Sequence, residues 1–552
     1  MNWILGTIVV LIITYLFSNR ARKARNKSIR KSINDKWGKP KYEEYFNFNL
    51  IDSFFRNHKS PKTAYQVISD YTWLDLDMNE VFKFLDRTTS KIGQQYLYYK
   101  VRTVTNCSDL KRFGKLTDIF KSNEQLRIES QYKLTVLSNH KSYFFEEIFR
   151  DKKVEKSQNI WLFRALSFAA LAVIILCFFN ATWFLALIPI FFINLIFHYK
   201  NKSSIEIYLD GVGQLATSYR VANKLMSSKE IKSFYKDFSY LKRVKSILSN
   251  IRFIEWEKKL DNEYALLFWF LSEIIKITFI IEPILFYSFQ KSLENKKEDL
   301  KKLFMFIGEI DSAISCASVQ TGSIEYCEPE FINEKQVITD QIFHPLIENC
   351  VTNNLRLKNK SLLLTGSNMS GKTTFIRTFS INAILGQTLN FCFAKKFETP
   401  FFKIYSSIRI ADDLINNTSY YLEEVVRIKK LVDASQTEDY HLFILDELFK
   451  GTNTIERIAA GQSILSYLNK NKNIVMVSTH DLELTEILEN KQYELYHFSE
   501  KIENNELHFD HKIKSGKPTN GNAIKILELY NYPKEIIEDS INMRKITLAN
   551  NG

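Results

Sequence analysis

No two of the six cysteines form a C-x-x-C pair, and their spacing matches no zinc signature. Cys107, Cys177, Cys316, Cys327, Cys350 and Cys392 therefore read as reduced thiols, mostly in the core, in a cytosolic compartment. The nine histidines do not cluster as metal ligands. No basic run interleaved with aromatics marks a nucleic-acid surface. The L-S-G-G-Q signature of transport ATPases is missing, and Ala460-Gly461-Gln462-Ser463 is only a faint echo of it. Residues 3–18 (WILGTIVVLIITYLFS) carry no charge at all.

The 552 residues suffice for two or three domains, and with 45% hydrophobic residues most of the chain can build a core. The net charge of +13 suits an anionic partner, nucleic acid or an acidic lipid surface. Part of that excess flanks apolar segments. Arg20, Arg22, Lys23, Arg25, Lys27, Arg30 and Lys31 follow the first one. A secretory signal carries its positive charge before the apolar stretch, so residues 1–19 read as an uncleaved anchor with a cytoplasmic C-terminal side. Sixteen residues rise roughly 24 Å, slightly short of the roughly 30 Å hydrocarbon core. Residues 20–74 read as a basic juxtamembrane linker facing lipid.

Residues 160–179 and 181–197 form a second apolar block, with Asn180 at the expected turn. Lys152, Lys153 and Lys156 precede it, and Lys200 and Lys202 follow, as expected of a hairpin with both ends in the cytoplasm. Arg164 lies near enough to the edge to snorkel. Residues 265–289 are interrupted by Glu273, Lys276 and Glu282. Each such charge at mid-bilayer costs roughly 2.5–3.5 kcal/mol on an insertion scale. A fourth span would also put the C-terminal half outside. The segment is expected to be a buried or membrane-apposed helix.

The strongest chemical signal follows an apolar strand, Ser361-Leu-Leu-Leu-Thr365. The segment Gly366-Ser367-Asn368-Met369-Ser370-Gly371-Lys372-Thr373-Thr374 fits G-x-x-x-x-G-K-S/T between a strand and a helical pattern. Glycines there let backbone N–H groups wrap phosphates at a helix N-terminus. Lys372 would neutralise the β- and γ-phosphates, and the Thr373 hydroxyl would be a Mg²⁺ ligand. A second strand, His441-Leu-Phe-Ile-Leu445, ends in Asp446-Glu447. Asp446 would hold the Mg²⁺ shell, and Glu447 would orient or deprotonate the attacking water. Alone, that pair would read as surface acid. A third strand, Ile474-Val-Met-Val-Ser478, leads to His480, placed to sense the γ-phosphate. A lone His is more often structural, but the order of loop, acidic strand and His strand fits one ATPase sheet.

These residues resemble the DNA mismatch repair MutS family. Thr365-Gly-Ser-Asn-Met-Ser-Gly-Lys-Thr-Thr is similar to its T-G-P-N-M-x-G-K-S/T loop, with Ser367 in place of Pro. Leu445-Asp-Glu-Leu-Phe-Lys-Gly-Thr-Asn-Thr454 resembles L-D-E-x-x-x-G-T-x-T, and Ser478-Thr-His480 resembles A/S-T-H. Ile410-Ala-Asp-Asp-Leu414 with Ser419-Tyr-Tyr-Leu-Glu-Glu424 is similar to D-D-L…S-T-F-M-x-E, with Asn417 in place of the signature Gly. His344-Pro345 and Asn353-Asn354-Leu355 match the start of the domain; Phe509-Asp-His511 and Gly516 match its end. The resemblance implies an ATP- and Mg²⁺-dependent ATPase working as a homodimer, with Ser419 reaching the partner subunit's γ-phosphate and His511 stacking on adenine. It also implies DNA as a partner. Upstream, Leu85-Asp-Arg-Thr-Thr-Ser-Lys-Ile-Gly93-Gln-Gln-Tyr-Leu97 resembles the opening of the family's helical core. Glu309-Ile-Asp311-Ser-Ala-Ile-Ser315-Cys-Ala317 resembles the helix before its ATPase.

The family's mismatch-reading domain has no room in residues 1–74, and Phe145-Glu146-Glu147 reads as packing rather than as its aromatic-acidic motif. The expected fold is an α/β P-loop NTPase domain at 326–552. An all-α helical core at 75–325, interrupted by a transmembrane hairpin at 160–199, precedes it. The expected function is a membrane-anchored ATPase switch in the inner (cytoplasmic) membrane, touching lipid, with DNA implied by the resemblance alone. Two other readings are a transporter component and a scaffold acting on a protein partner. Few spans and no L-S-G-G-Q weigh against the first, and the intact Lys372, Thr373, Asp446, Glu447 set weighs against the second.

Overall fold

The computed structural model describes residues 2–41, 44–58, 63–150, 160–200, 202–248, 266–284, 287, 293–323, 325–367, 369–409, 420–449, 452–503, 506–517 and 523–550. Contacts divide the chain into two units. One comprises Met1–Pro61, Leu85–Lys100 and Lys115–Gly322; the other comprises Lys62–Phe84, Val101–Gly114 and Ser323–Gly552. Residues 75–84 and 101–114, expected in the helical domain, thus gather with the C-terminal unit.

The first unit is helical. Helix α1 (Asn2–Asp35) runs without a break through the apolar and basic stretches. Its later turns dock on α2 (Glu124–Leu134), where Arg30 pairs with Glu129 at 2.8 Å and lies over the Tyr132 ring. Two apolar helices follow, α3 (Ile160–Cys177) and α4 (Phe184–Lys200). Asn180 turns the chain between them, its side chain accepting from the Thr182 N–H at 3.0 Å. After α5 (Leu266–Thr278) comes α6 (Lys297–Gly322). Among the described residues, α3, the stretch Ala181–Lys200 and α6 are long and apolar enough to cross a membrane. They differ in burial: 17% and 11% of the first two windows are buried, against 89% of the α6 window. Helix α6 is therefore the core of this unit.

The two weaker sequence motifs meet on α6. Asp311 Oδ1 accepts from the Thr89 N–H at 2.9 Å, and Oδ2 accepts from the Ser90 N–H and hydroxyl at 2.7 and 2.6 Å. Ser315 accepts from the Arg87 N–H at 2.7 Å and donates to the Leu85 carbonyl at 2.9 Å. A Cβ at position 93 would come within 2.2 Å of Asp311 Oδ2, and one at position 308 of α6 within 2.3 Å of Tyr96 Cβ, so the helix Lys91–Arg102 and α6 approach closely where each carries a glycine. Glu146 is buried, paired with His58 at 2.9 Å and accepting from Asn57 at 2.8 Å, a packing role. Of the six cysteines, Cys316 and Cys392 are buried and the other four are half-buried, fewer in the core than expected.

The second unit is built on a six-stranded sheet. Its strands are β1 (Ser361–Thr365), β2 (Phe402–Ser407), β3 (Tyr440–Asp446), β4 (Ile474–Ser478), β5 (Tyr493–His497) and β6 (Lys514–Ser515), in the order β6-β5-β1-β4-β3-β2. All pairings are parallel except β5 with β6. Every residue of β1 and β4 is buried, which explains their uninterrupted apolar sequence. One face, including Leu363, Phe443, Leu445, Val475 and Val477, packs on α8 (Tyr420–Ala434) and α9 (Thr454–Leu468). On the other face lies α7 (Lys372–Leu389), buried along most of its length. A second sheet orders Glu330–Phe331, Lys396–Thr399, Gln336–Ile342 and Asn353–Lys358 side by side.

Candidate functional site

Parallel register sets the site. Ser478 of β4 aligns with Leu364 of β1 and with Asp446 of β3, so these strands end together, and open α/β sheets place their ligands at such ends. From β1 the chain enters the 366–371 loop. Gly366 (φ +143°) and Gly371 (φ +112°) lie in the region that disfavours a side chain. A Cβ at 366 would also come within 2.9 Å of the Phe498 carbonyl. Helix α7 starts at Lys372, so its unpaired N-terminal N–H groups and positive dipole end face the loop.

Lys372 is 5% exposed. Its ammonium donates to the carbonyls of Gly366 (2.8 Å) and Ser367 (2.9 Å), and lies 3.1 Å from His480 Nε2. The same ring nitrogen is 2.9 Å from Glu447 Oε1. A ring nitrogen cannot both accept from an ammonium and donate to a carboxylate, so its proton decides which neighbour it serves. The Thr373 hydroxyl donates to Asp446 Oδ2 at 2.9 Å, and the Ser478 hydroxyl donates to Asp446 Oδ1. Glu447 sits at φ +51°, and its N–H is tied to the Ser478 carbonyl at 2.9 Å.

The other expected residues surround the same space. The Ser367 hydroxyl donates to Glu500 (2.7 Å), and the Ser370 hydroxyl donates to the Ser367 carbonyl (2.8 Å). Met369 and Thr374 are exposed. His511 Nδ1 lies 3.1 Å from the Ser370 carbonyl. A cavity of about 510 Å³ is lined by Ser367, Met369, Gly371, Lys372, Thr373, Thr374, Glu447 and His511. Asn368 and Ser419 lie outside the described residues, as do Asp412, Asp413 and Asn417. Glu424 is buried on α8, where its Oε1 accepts from the Phe449 N–H at 2.5 Å.

Two features were not legible in the motifs. Ile342, Phe343, Ile347 and Phe498 give the cavity an apolar wall. Asp75 and Asp77 form a clamp beside the sheet. Asp75, fully buried, accepts from the Ser406 hydroxyl (2.7 Å), from the Ile408 and Arg409 N–H groups (both 3.0 Å) and from Arg427 (3.2 Å). Asp77 joins Arg409 (2.5 Å) to Arg377 of α7 (3.1 Å). A signal for the wall existed in the matched His344-Pro345 start of the domain. None existed for the clamp.

The model of the family MutS domain V matches residues 362–547. The DNA mismatch repair protein MutS of Staphylococcus haemolyticus is 31% identical over 268 residues, covering 47% of this chain and 30% of that protein. The protein of the same name from Listeria monocytogenes serotype 4a is 32% identical over 270 residues, covering 47% and 31%. The chain thus spans less than a third of the length of these relatives. That domain lies at the C-terminal end of the chain and relatives of this name align along its C-terminal half, so this half of the chain is similar to the MutS family.

Proposed function

We propose that this chain is a membrane-anchored ATPase that binds ATP with Mg²⁺, hydrolyses it, and works as a dimeric conformational switch. The observation that carries the proposal is the convergence of Lys372, Thr373, Asp446, Glu447 and His480 at one end of the parallel sheet, beside a cavity of about 510 Å³. That volume is in the usual range for a small-molecule site. The Lys372 ammonium, now on loop carbonyls, exchanges them for phosphate oxygens. Thr373 and Asp446 offer the hard oxygen donors that Mg²⁺ takes. The ion, bound with the nucleotide, neutralises phosphate charge. Glu447 accepts the proton of the attacking water, and His480 holds Glu447 in position and senses the γ-phosphate. The apolar wall and His511 receive the base. Ser419 completes the site of the partner subunit.

The membrane reading rests on composition and exposure. On α3 and α4, Phe168, Leu171, Ile175, Phe184, Leu185 and Phe192 are exposed. Acyl chains would cover them, and the basic turns of α1 would meet anionic headgroups. The relatives are named for DNA mismatch repair; DNA is proposed here only as a ligand to test.

The test is ATP turnover by the full chain in detergent, with and without DNA. Turnover that Lys372→Ala abolishes is expected, and no turnover by the wild type would refute the enzyme. For the shared site, Ser419→Ala and Lys372→Ala are mixed. One composite site of the heterodimer regains both groups, so part of the activity returns. A mixture that forms heterodimers and stays inactive removes the trans role of Ser419.

A further inference from the structure

Helix α5 packs against α4, and polar side chains are buried between them. His198, on α4, is 1% exposed; its Nε2 lies 3.5 Å from Glu273 and 3.9 Å from Glu282. Lys276 lies 3.3 Å from Glu273 and 3.5 Å from Glu282. The side chains of Glu273, Lys276 and Glu282 are 14%, 14% and 19% exposed. The three charges that interrupt residues 265–289 thus close on one another and on His198.

One turn before His198 on α4, the buried Asn194 donates to the Thr278 carbonyl at 2.7 Å. Helix α5 ends at that carbonyl. Phe279 and Ile280 form a turn, with Ile280 buried at φ +48°, and a short helical stretch follows at 281–284. Positive φ is rare for a β-branched residue. Six positions separate Lys276 from Glu282, and on a continuous helix they would lie on different faces; the break lets them pair. Asn194 supplies a donor to one of the carbonyls that a helix end leaves without an intrahelical partner.

Among the described side chains of α5, three apolar ones are open. Phe270 is 57% exposed, Ile274 36% and Ile275 51%. On α4, against which α5 packs, Ile188, Phe192, Ile193 and Ile196 are exposed as well. The thirteen described residues of α5 rise roughly 20 Å before the break at Phe279–Ile280, which stops the helix as a re-entrant element within a hydrocarbon core of roughly 30 Å requires. Non-helical backbone at membrane depth needs protein around it, and Asn194 and the buried Ile280 meet that need.

We infer that α5 is a re-entrant membrane element: it enters the bilayer beside α3 and α4 and turns back at Phe279–Ile280. Acyl chains cover Phe270, Ile274 and Ile275, while His198, Glu273, Lys276 and Glu282 tie its polar side to α4. The inference rests on the membrane reading of α3 and α4 given above.

A fluorescent noncanonical amino acid replaces Ile275, Phe192 or Tyr45 in the full chain, in proteoliposomes. Quenching by doxyl-labelled lipid is compared with quenching by iodide. Doxyl quenching at 275 and at 192 is expected, with iodide quenching at the water-facing 45. Doxyl quenching at 192 with iodide quenching at 275 overturns the re-entrant element and leaves the hairpin standing. Protection of 275 from both quenchers means that a second copy or another protein covers it, and also overturns the inference. Iodide quenching at 192 overturns the membrane reading itself. Lys276→Met leaves two carboxylates without their ammonium, so the 275 probe should lose most of its doxyl quenching. The double variant Glu273→Gln, Lys276→Met should recover part of it. Unchanged quenching in Lys276→Met would remove the charge cluster as the tie.

Discussion

Asp446 and Asp311 are both acids that accept hydrogen bonds from residues far away in sequence, yet their surroundings differ. Asp446 accepts from Thr373 and Ser478 beside a cavity that Thr373, Lys372 and Glu447 line. Asp311 accepts from Thr89 and Ser90 where even one added methyl at position 93 would collide. Similar donor chemistry therefore serves two ends. Where space adjoins the acid, the groups are free to act on something else. Where it does not, they join helices. The comparison makes opposite predictions for the two places: loss of activity in a folded protein at one, loss of stability with the site intact at the other.

The sharpest way to break the comparison is at Lys372. Lys372→Ala should abolish ATP binding, because the phosphates lose their main counter-charge, while the protein stays folded. Equilibrium binding of a labelled nucleotide, with a thermal melt on the same sample, checks both halves. Wild-type affinity would mean that the cavity is not the nucleotide site.

Next in size is Glu447→Ala. Binding should persist and hydrolysis should slow by roughly 10²–10⁴-fold, the range for losing a general base. Single-turnover hydrolysis and binding, measured together, decide it; unchanged turnover moves the base elsewhere.

At the other acid, Asp311→Ala strands the Thr89 N–H, the Ser90 N–H and the Ser90 hydroxyl. A loss of roughly 3 kcal/mol is expected, since each buried unsatisfied donor costs about 1–3 kcal/mol and some are rehydrated. Urea unfolding gives the loss, and the folded fraction should bind nucleotide normally. A stable variant with impaired hydrolysis would reverse the roles assigned to the two acids.

The two places were not equally legible. At Asp446 the informative residues are contiguous: a uniformly apolar strand, then Asp446-Glu447, and elsewhere Gly366 through Thr374. Short-range geometry alone makes such runs meaningful. At Asp311 the motifs Leu85–Leu97 and Glu309–Ala317 could each be recognised, but not their contact, because Ser90 and Asp311 lie 221 positions apart. The Asp75 clamp is further from view, since nothing in Asp70-Tyr-Thr-Trp-Leu-Asp75 announces donors 331 to 352 positions later. Apolarity misleads in a related way. Helix α6 is apolar enough to cross a membrane, but Asp311, Ser315 and Ser318 have partners within its own unit, and 89% of that window is buried. In residues 265–289 the charges that argued against a span have found partners in one another and in His198.

The smallest effect sets the two units against each other in pH. Burial pushes the Asp311 carboxyl up to about 6, against the pull of its three donors. An unfolded Asp titrates near 3.9. Between these values the folded state binds more protons than the unfolded one, so this group's stabilisation declines as the pH rises from about 4 to about 6. His344, beside the cavity, is shifted the other way. Burial first, and the nearby Arg377 second, lower it to about 4, and its Nδ1 accepts from the Leu346 N–H at 3.3 Å. An unfolded His titrates near 6.5. In that window the unfolded state binds more protons, so stability falls as the pH drops from about 6.5 towards 4. Other groups titrate in both units, so the measurable quantity is a difference between variants. Amide exchange, corrected for its intrinsic pH dependence, reports α6 for the first unit and β1 for the second. Asp311→Asn should remove a decline with rising pH in α6 and leave β1 unchanged. His344→Asn should remove a rise with pH in β1 and leave α6 unchanged. Slopes of the same sign at both places would mean that burial does not govern the two groups in opposite directions.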